Sequence, residues 1–446
     1  MASVKRLYSA TVRKLIIDSL VYTLVAAGNA IAVIFFVRVA TDVLSLRSLD
    51  DIFLGRRYIP VFSALLSLGS SQVIQKYWTV EKDNPTEKLR ILVATTIMCV
   101  TGFLVTAVFL MLITALMGHD LQSHTVLYAV KNNYLLLAAL SVAVGQIAAS
   151  ILLVDGRLLA SGILQALNGS IISAMIIELI GPELVVSELF KWTAYCSLSI
   201  SFATIIFSLQ SGFDKSCLDS FLIKNYSGWL MLLKKCLTFG IPRSLSTAMD
   251  FGLFAITPWL VSNDLGKAAV FSIALTLVKM SQLVLAPVSQ IVALRVASFS
   301  SIQQQLRADR AIAVSVLVMV GVGIGSAVVL YLSRNWLVVL FVGDISIRSQ
   351  ISLYLRYFSF ALPGLMIFYS MRSILELRFT APVNLISLVL AITTHLGIYY
   401  MLVGYYVCPV AAAYSFIWSS TVLGICTLSL ACFTTLKNMW DIHPSS

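Results

Sequence analysis

The chain has 446 residues, of which 59% are apolar and 11% are charged, and its net charge is +11. Soluble globular proteins carry about 25% charged residues, so this composition excludes a soluble enzyme, a disordered protein and a fibrous protein. The class that remains is an all-α polytopic membrane protein. Its helices satisfy their own backbone hydrogen bonds inside the bilayer.

Apolar runs along the chain predict twelve membrane-spanning helices. A helix needs about 20 apolar residues to cross the hydrocarbon core, and each run is close to that length. We place the spans at 15–38, 57–75, 91–117, 133–153, 158–180, 190–210, 238–261, 268–292, 311–332, 351–371, 383–403 and 408–433. We expect the first run to be an uncleaved span, because it is too long for the apolar core of a signal peptide.

Lysine and arginine are distributed unequally between the two predicted sides of the membrane. Nineteen of the 31 lie on the side of the termini, eight lie on the opposite side, including Arg56 and Arg57, and four lie within or at the ends of spans. Cytoplasmic loops carry the excess of these residues. The bias places both termini in the cytoplasm and explains the net charge without a nucleic-acid partner.

The predicted spans divide into two groups of six. Residues 1–210 form the first six-helix lobe, residues 211–237 form an amphipathic cytoplasmic connector, and residues 238–446 form the second lobe. Six spans per lobe is an even number, so the lobes enter the membrane in the same direction. This predicts a parallel repeat about an axis along the membrane normal.

The sequence lacks the short motifs that are typical of nucleotide-binding, catalytic or metal-binding sites. No Walker A loop and no H-E-x-x-H motif occur. The seven cysteines form no C-x-x-C pair, so neither a metal centre nor a disulfide framework is indicated. No predicted loop has room for an extramembrane catalytic domain. We therefore expect a protein that is not an enzyme and needs no cofactor.

Two charged residues lie near the middle of predicted spans, Asp250 in the seventh and Lys279 in the eighth. A charge at the bilayer centre costs about 2.5–3.5 kcal/mol, so such residues persist mainly where they face a partner or a water-filled cavity. Asp250 is either a proton or cation site or a buried contact between helices. Lys279 is a candidate to line a cavity, and the two could pair because their spans are consecutive.

Other charges lie nearer the ends of the predicted spans. Arg38 closes the first span on the outer side, and Arg356 lies about a turn and a half into the tenth. Arg372 and Glu376 are four residues apart on one helix and are expected to pair. Asp18 has the same spacing from Lys14. For Arg372 and Glu376 the default is a salt bridge at the membrane interface, and for Arg38 the alternative to a binding role is an interfacial side chain that extends to water.

Uncharged polar residues are found in the spans of the first half. Asn29 lies in the first span, and Gln165 and Asn168 lie in the fifth, where their spacing of three places them on one face. Such side chains either form hydrogen bonds between helices, worth about 0.6 kcal/mol each, or line a hydrated vestibule that contacts sugar hydroxyls.

Two distant stretches share an order of small, apolar and basic residues with a known family. They are Leu54–Val73 in the first half, and Phe239–Pro242 followed by Leu265–Ala274 in the second. In these stretches the chain resembles the Wzx-like polysaccharide flippases of the multidrug/oligosaccharidyl-lipid/polysaccharide (MOP) exporter superfamily. It departs from that pattern at Thr257, where many relatives carry an acid.

The resemblance implies a flippase of the bacterial inner membrane that moves an undecaprenyl-pyrophosphate-linked oligosaccharide by alternating access. Arg38, Lys279 and Arg356 would hold the pyrophosphate in a cationic cavity. Asp250, Asp18, Arg372 and Glu376 would serve as coupling or charge-pair residues, and Asn29, Gln165 and Asn168 would face the sugars. The implied partners are the lipid-linked substrate, membrane lipids, and a polymerase and chain-length regulator of the same pathway.

Two alternatives remain at this point. The first is a cation-coupled drug exporter of the same superfamily, which would place acids rather than bases in its cavity. The second is a membrane-embedded O-antigen polymerase or acyltransferase, which would require a large outer loop or a catalytic His/Asp pair.

Overall fold

A computed structural model of the chain describes residues 2–78, 84–117, 133–210, 226–283, 302–378 and 383–442. This part of the chain consists of helices and turns and contains no strand, which confirms the predicted all-α fold. The chain is a multi-pass membrane protein.

The described residues of the first half form eight α-helices. They are α1 (Ala2–Val43), α2 (Leu46–Ser67), α3 (Ser70–Val73), α4 (Pro85–Met117), α5 (Asn133–Val154), α6 (Leu158–Ala166), α7 (Ile172–Ile180) and α8 (Val186–Gln210). Two π-helical segments continue this series, Ile74–Trp78 after α3 and Leu167–Ile171 between α6 and α7.

The described part of the second half adds seven helices. They are α9 (Tyr226–Leu260), α10 (Lys267–Leu283), α11 (Ile302–Phe341), α12 (Ile345–Ser359), α13 (Leu362–Arg378), α14 (Val383–Leu402) and α15 (Cys408–Ile442). Of the predicted connector, residues 226–237 form the start of α9, and residues 211–225 lie outside the described part.

Each of the twelve predicted spans overlaps a helix or a broken helix of the structure. Within the described residues, eight segments are long and apolar enough to cross a membrane, and a ninth is obtained when α12 and the first part of α13, bent by 62°, are counted together. The other three predicted spans overlap helices that do not meet this criterion. Of these, α2 and α9 carry several charges, and α10 is described over only 17 residues.

The helices group into two compact units. The first unit comprises Ile31–Ser272 with Phe341–Asp344, and the second comprises Met1–Ala30, Ile273–Leu340 and Ile345–Ser446. This grouping does not follow the predicted boundary at residues 211–237. The division into two six-helix lobes of one repeat stays a prediction.

In the first unit, α2 is surrounded by α4, α5 and α9. Glycines allow the backbones to approach closely, as at many helix crossings in membranes. A Cβ at Gly102 of α4 would overlap the carbonyl oxygen of Leu66, and a Cβ at Gly240 of α9 would overlap that of Leu68. The carboxyl end of α2 is therefore held between two other helices without room for a methyl group at either contact.

The helix that contains the start of the second predicted span begins at Leu46, eleven residues before residue 57. The hydroxyl of Ser45 accepts a hydrogen bond from the backbone N–H of Ser48 at 3.4 Å and caps this end. The helix stops at Leu68 and Gly69, which both adopt left-handed backbone conformations with φ of 45° and 80°. The span is thus a 22-residue helix, a sharp break, and a short helix that ends as a π segment.

In the second unit, α15 packs against α13 and α14. A Cβ at Gly364 of α13 would overlap the backbone carbonyl of Ser420 on α15, so these two helices also cross at a glycine. His395 of α14 is fully buried, with its ring 6.1 Å from that of Phe416 in an edge-to-face arrangement. His395 is therefore packed inside the second unit.

Candidate functional site

Two adjacent arginines occupy the middle of α2 in the first unit. Arg56 and Arg57 are the eleventh and twelfth of its 22 residues and are half-buried. Successive helical positions point about 100° apart, so the two guanidiniums reach different neighbours. That of Arg57 donates a hydrogen bond to the backbone carbonyl of Ser272 on α10.

The Arg56 guanidinium is held by the π segment between α6 and α7. Its Nη2 donates to the carbonyl oxygen of Gly169 at 2.6 Å and to the hydroxyl of Ser170 at 3.1 Å. Its Cζ lies 3.7 Å from the ring centroid of Phe36 on α1. Single-turn π segments often occur at functional sites. Among the described residues, the hydrogen-bond partners of Arg56 are neutral oxygens, so these bonds leave its positive charge in place.

The structure places Arg56 and Arg57 inside α2, and their position on the outer side stays a prediction. An unsatisfied charge inside a membrane helix is costly, and hydrogen-bond partners reduce this cost. The partners that remove this cost lie 113 and 215 residues away in the sequence. The local sequence around Arg56 and Arg57 therefore does not indicate these hydrogen-bond partners.

Asp50, nearly two turns before the arginines, caps the amino end of α10. Its carboxylate accepts hydrogen bonds from the backbone N–H of Gly266 and, at 2.7 Å, from that of Ala269. The first N–H groups of a helix have no partner within the helix and carry partial positive charge, so a carboxylate stabilises them. Asp50 thus has a structural role, joining α2 to α10 within the first unit.

Asp250 is buried in α9, with 3% of its surface exposed. Thr257, two turns later, is fully buried on the same helix. The structure places Asp250 inside the first unit, as expected for either of its predicted roles. Lys279 is half-buried on α10 but belongs to the second unit. The pairing of these two residues stays a prediction.

Of the two polar residues predicted on the fifth span, one makes a described contact. Asn168 lies in the π segment and its Nδ2 donates to the hydroxyl of Ser201 on α8 at 3.0 Å. Its Oδ1 is buried without a hydrogen-bond partner among the described residues. Gln165, still in α6, is exposed. A Cβ at Gly145 would overlap the Asn168 amide, so this glycine makes room for it.

Arg38 lies near the end of α1 and forms an ion pair with Asp42, with Nε 2.8 Å from Oδ2. Its Nη1 also donates to the carbonyl of Val342 at 3.3 Å. The two side chains of the pair are 41% and 43% exposed, and exposed pairs contribute about 0–1 kcal/mol. The Arg38 charge is therefore partly balanced before any ligand binds.

Three further predicted residues lie in the second unit. Arg356 is exposed on α12, with its Cζ 5.8 Å from the ring centroid of Tyr331. Arg372 is half-buried on α13, and its backbone carbonyl accepts a hydrogen bond from the Asn384 amide at 3.1 Å. Asn29 of α1 has a buried Oδ1 that accepts no hydrogen bond from the described residues.

The backbones of Asp18 and Glu376 belong to α1 and α13. Their side chains lie outside the described part of the structure, so the predicted pairs of Asp18 with Lys14 and of Glu376 with Arg372 stay predictions. Among the residues that are described, no group of three His, Cys, Asp or Glu side chains could hold a metal ion.

Comparison with known proteins shows the fold. The chain is similar to a multidrug-resistance MATE family transporter of the MOP superfamily in an inward-facing conformation, with 14% identity, a TM-score of 0.66, and coverage of 94% of this chain and 95% of the other. It is similar to a eukaryotic MATE transporter with 13% identity, a TM-score of 0.65, and coverage of 97% and 99%.

A third similar structure is a MOP superfamily transporter from Pyrococcus furiosus, for which a binding pocket of reverse polarity and a different function are described. Its identity to this chain is 16%, its TM-score 0.62, and the coverage 95% of this chain and 94% of the other. No family model and no curated protein matches the sequence. The chain therefore has the fold of the MATE transporters over almost its whole length.

Proposed function

We propose that this protein is a membrane transporter that works by alternating access. The fold carries this proposal, because it extends over nearly the full length of solved transporters in both inward-facing and outward-facing conformations. The similar solved structures are transporters, and we propose that the chain moves its substrate across the membrane without modifying it.

One class of cargo is an amphiphilic organic cation, exported at the expense of an ion gradient. The similar structures include several named as MATE or multidrug-resistance transporters, and this supports an exporter more strongly than a flippase. A buried carboxylate suits a cation or a coupling proton, and intramembrane acids often have such roles. Asp250, 3% exposed on α9, is the residue that would fill this role in the first unit.

The second class of cargo is an undecaprenyl-pyrophosphate-linked oligosaccharide, as in O-antigen synthesis. The specific observation in its favour is Arg56, a half-buried guanidinium whose described hydrogen-bond partners are all neutral. Guanidiniums bind phosphate oxygens well, and the Pyrococcus transporter shows that pocket polarity differs among proteins of this fold. In this case the protein would act in a bacterial inner membrane with cytoplasmic termini, beside a polymerase and a chain-length regulator.

A deletion strain with two readouts separates the two classes. Loss of an exporter raises the accumulation of a fluorescent organic cation, and complementation by Asp250→Asn fails to restore efflux. Loss of a flippase removes surface polysaccharide and accumulates its lipid-linked precursor, and complementation by Arg56→Gln fails. Leu245→Ala, a change at an exposed apolar residue of α9, serves as the control that restores function in both cases.

A further inference from the structure

Three basic side chains gather around two aromatic rings in the first unit, at the end of the broken second span. Lys76 and Tyr77 belong to the π segment Ile74–Trp78, and Lys235, Phe239 and Arg243 follow one another at intervals of four along α9. This group, the aromatic–basic cluster, lies on the side of the membrane predicted to be cytoplasmic. It is separate from Arg56 and from Asp250.

The rings hold the cations close to one another. The Lys76 Nζ lies 4.0 Å and the Arg243 Cζ 3.6 Å from the ring centroid of Phe239, so these two groups are less than about 8 Å apart. The Lys235 Nζ lies 4.9 Å from the ring of Tyr77, which meets the Phe239 ring edge-on at 5.7 Å. A phosphate that accepts hydrogen bonds of about 2.8 Å from two cations spans a gap of this size.

The backbone explains why the cluster forms here. The left-handed residues Leu68 and Gly69 end α2 and turn the chain so that the π segment meets α9. Gly240 lies against the carbonyl of Leu68 with no room for a Cβ, and this contact brings its neighbour Phe239 up to Tyr77. The Phe239–Pro242 stretch thus positions a ring that two cations share.

The charges of the cluster repel one another. Partial burial lowers the pKa of Lys76, and the nearby charges of Arg243 and Lys235 lower it further. No described carboxylate forms an ion pair with Lys76 or Lys235. A bound anion would relieve this repulsion, whereas an empty cluster retains it.

Exposed apolar side chains continue from the cluster along α9. Met231 lies one turn before Lys235 on the same face of α9 and is 75% exposed, and its neighbour Leu230 is 67% exposed. In a membrane helix, exposed apolar side chains offer a surface for acyl chains. A phosphate with attached chains fits this combination of cations and apolar residues better than a free phosphate ion.

We propose that Lys76, Lys235 and Arg243, held around Tyr77 and Phe239, bind the phosphate group of an anionic membrane lipid. The site is independent of which cargo the protein moves. Bound lipid would join the π segment to α9 across the crossing at Gly240.

Thermal unfolding of the full-length protein in detergent, with added phosphatidylglycerol or phosphatidylcholine, tests this site. We expect phosphatidylglycerol to stabilise the wild type more than phosphatidylcholine does. In the double variant Lys76→Gln/Lys235→Gln, the phosphatidylglycerol concentration needed for the same stabilisation should rise about tenfold or more. The matched control is Arg157→Gln/Lys191→Gln, which also removes two charges near aromatic rings and should respond as the wild type does.

Two further arms keep the test decisive. Lys76→Arg/Lys235→Arg keeps the charges and should keep the response, which separates lost binding from misfolding. Inorganic phosphate alone should protect far less than the lipid. The assignment to a lipid would be overturned if phosphatidylglycerol stabilised the Lys76→Gln/Lys235→Gln and Arg157→Gln/Lys191→Gln variants equally. It would also be overturned if inorganic phosphate gave the same stabilisation as the lipid.

Discussion

The Nη2 of Arg56 donates a 2.6 Å hydrogen bond to the carbonyl oxygen of Gly169, which joins the middle of α2 to the π segment between α6 and α7. The guanidinium in the middle of α2 is thereby hydrogen-bonded to the backbone of a segment 113 residues later. The same segment supplies the Ser170 hydroxyl and places Asn168 against Ser201. The first unit therefore contains a polar interior built from helix irregularities as well as from side chains.

Replacing Arg56 by Met should destabilise the protein by about 1–3 kcal/mol, since the Gly169 carbonyl and the Ser170 hydroxyl lose a charged donor. Arg56→Gln, which can still donate to the carbonyl, should cost less. Thermal unfolding in detergent compares the two variants. Equal melting temperatures for Met, Gln and the wild type would show that this hydrogen bond contributes nothing.

Gly240→Ala should lower stability by about 1–3 kcal/mol, because its Cβ would overlap the backbone carbonyl of Leu68 and force α9 away from the end of α2. Gly252 of the same helix has open space around its Cα. Gly252→Ala is therefore the matched control and should be neutral or stabilising by about 0.5–1 kcal/mol. The same loss of melting temperature in both variants would contradict the close crossing.

Asp50→Asn should destabilise the amino end of α10 by about 0.5–2 kcal/mol, since an amide offers one acceptor oxygen where the carboxylate serves two N–H groups. Its neighbour Asp51 makes no described hydrogen bond and provides the control, Asp51→Asn. Hydrogen exchange of residues 266–271 measures the effect locally. Faster exchange in the Asp50 variant alone is the expected result.

Cysteine labelling of intact cells tests the predicted orientation. In a background with the seven native cysteines replaced, Asp264→Cys should react with a membrane-impermeant maleimide, and Asn84→Cys should react only after permeabilisation. Both residues are exposed, so access depends on the side of the membrane. The opposite pattern would reverse the orientation inferred from the lysine and arginine bias.

The order of the apolar helices follows from the sequence, because runs such as 133–153 and 383–403 are apolar enough to require a membrane environment. The predicted ends at 153 and 403 fall within one residue of the observed ends at Val154 and Leu402. Hydropathy is a local property, and for these helices local information is sufficient.

The interior of the first unit could not be predicted in the same way. Arg56 forms a hydrogen bond with Gly169, and Asp50 forms hydrogen bonds with Gly266 and Ala269. These partners are distant in the sequence. The left-handed Leu68 is not signalled by its residue type, since branched side chains rarely adopt positive φ. Of the predicted site residues, Asp250 and Asn168 lie where a polar interior exists, and Arg38 lies in an exposed ion pair.

Transport by the purified protein in liposomes tests the central claim most directly. Two probes are needed, a fluorescent organic cation and a labelled undecaprenyl-pyrophosphate oligosaccharide. The account predicts that one of them crosses faster than in protein-free vesicles. It also predicts that the responsible charge variant, Asp250→Asn for the cation or Arg56→Gln for the lipid-linked sugar, abolishes the difference. Folded, correctly inserted protein that moves neither probe above the protein-free rate would contradict the account.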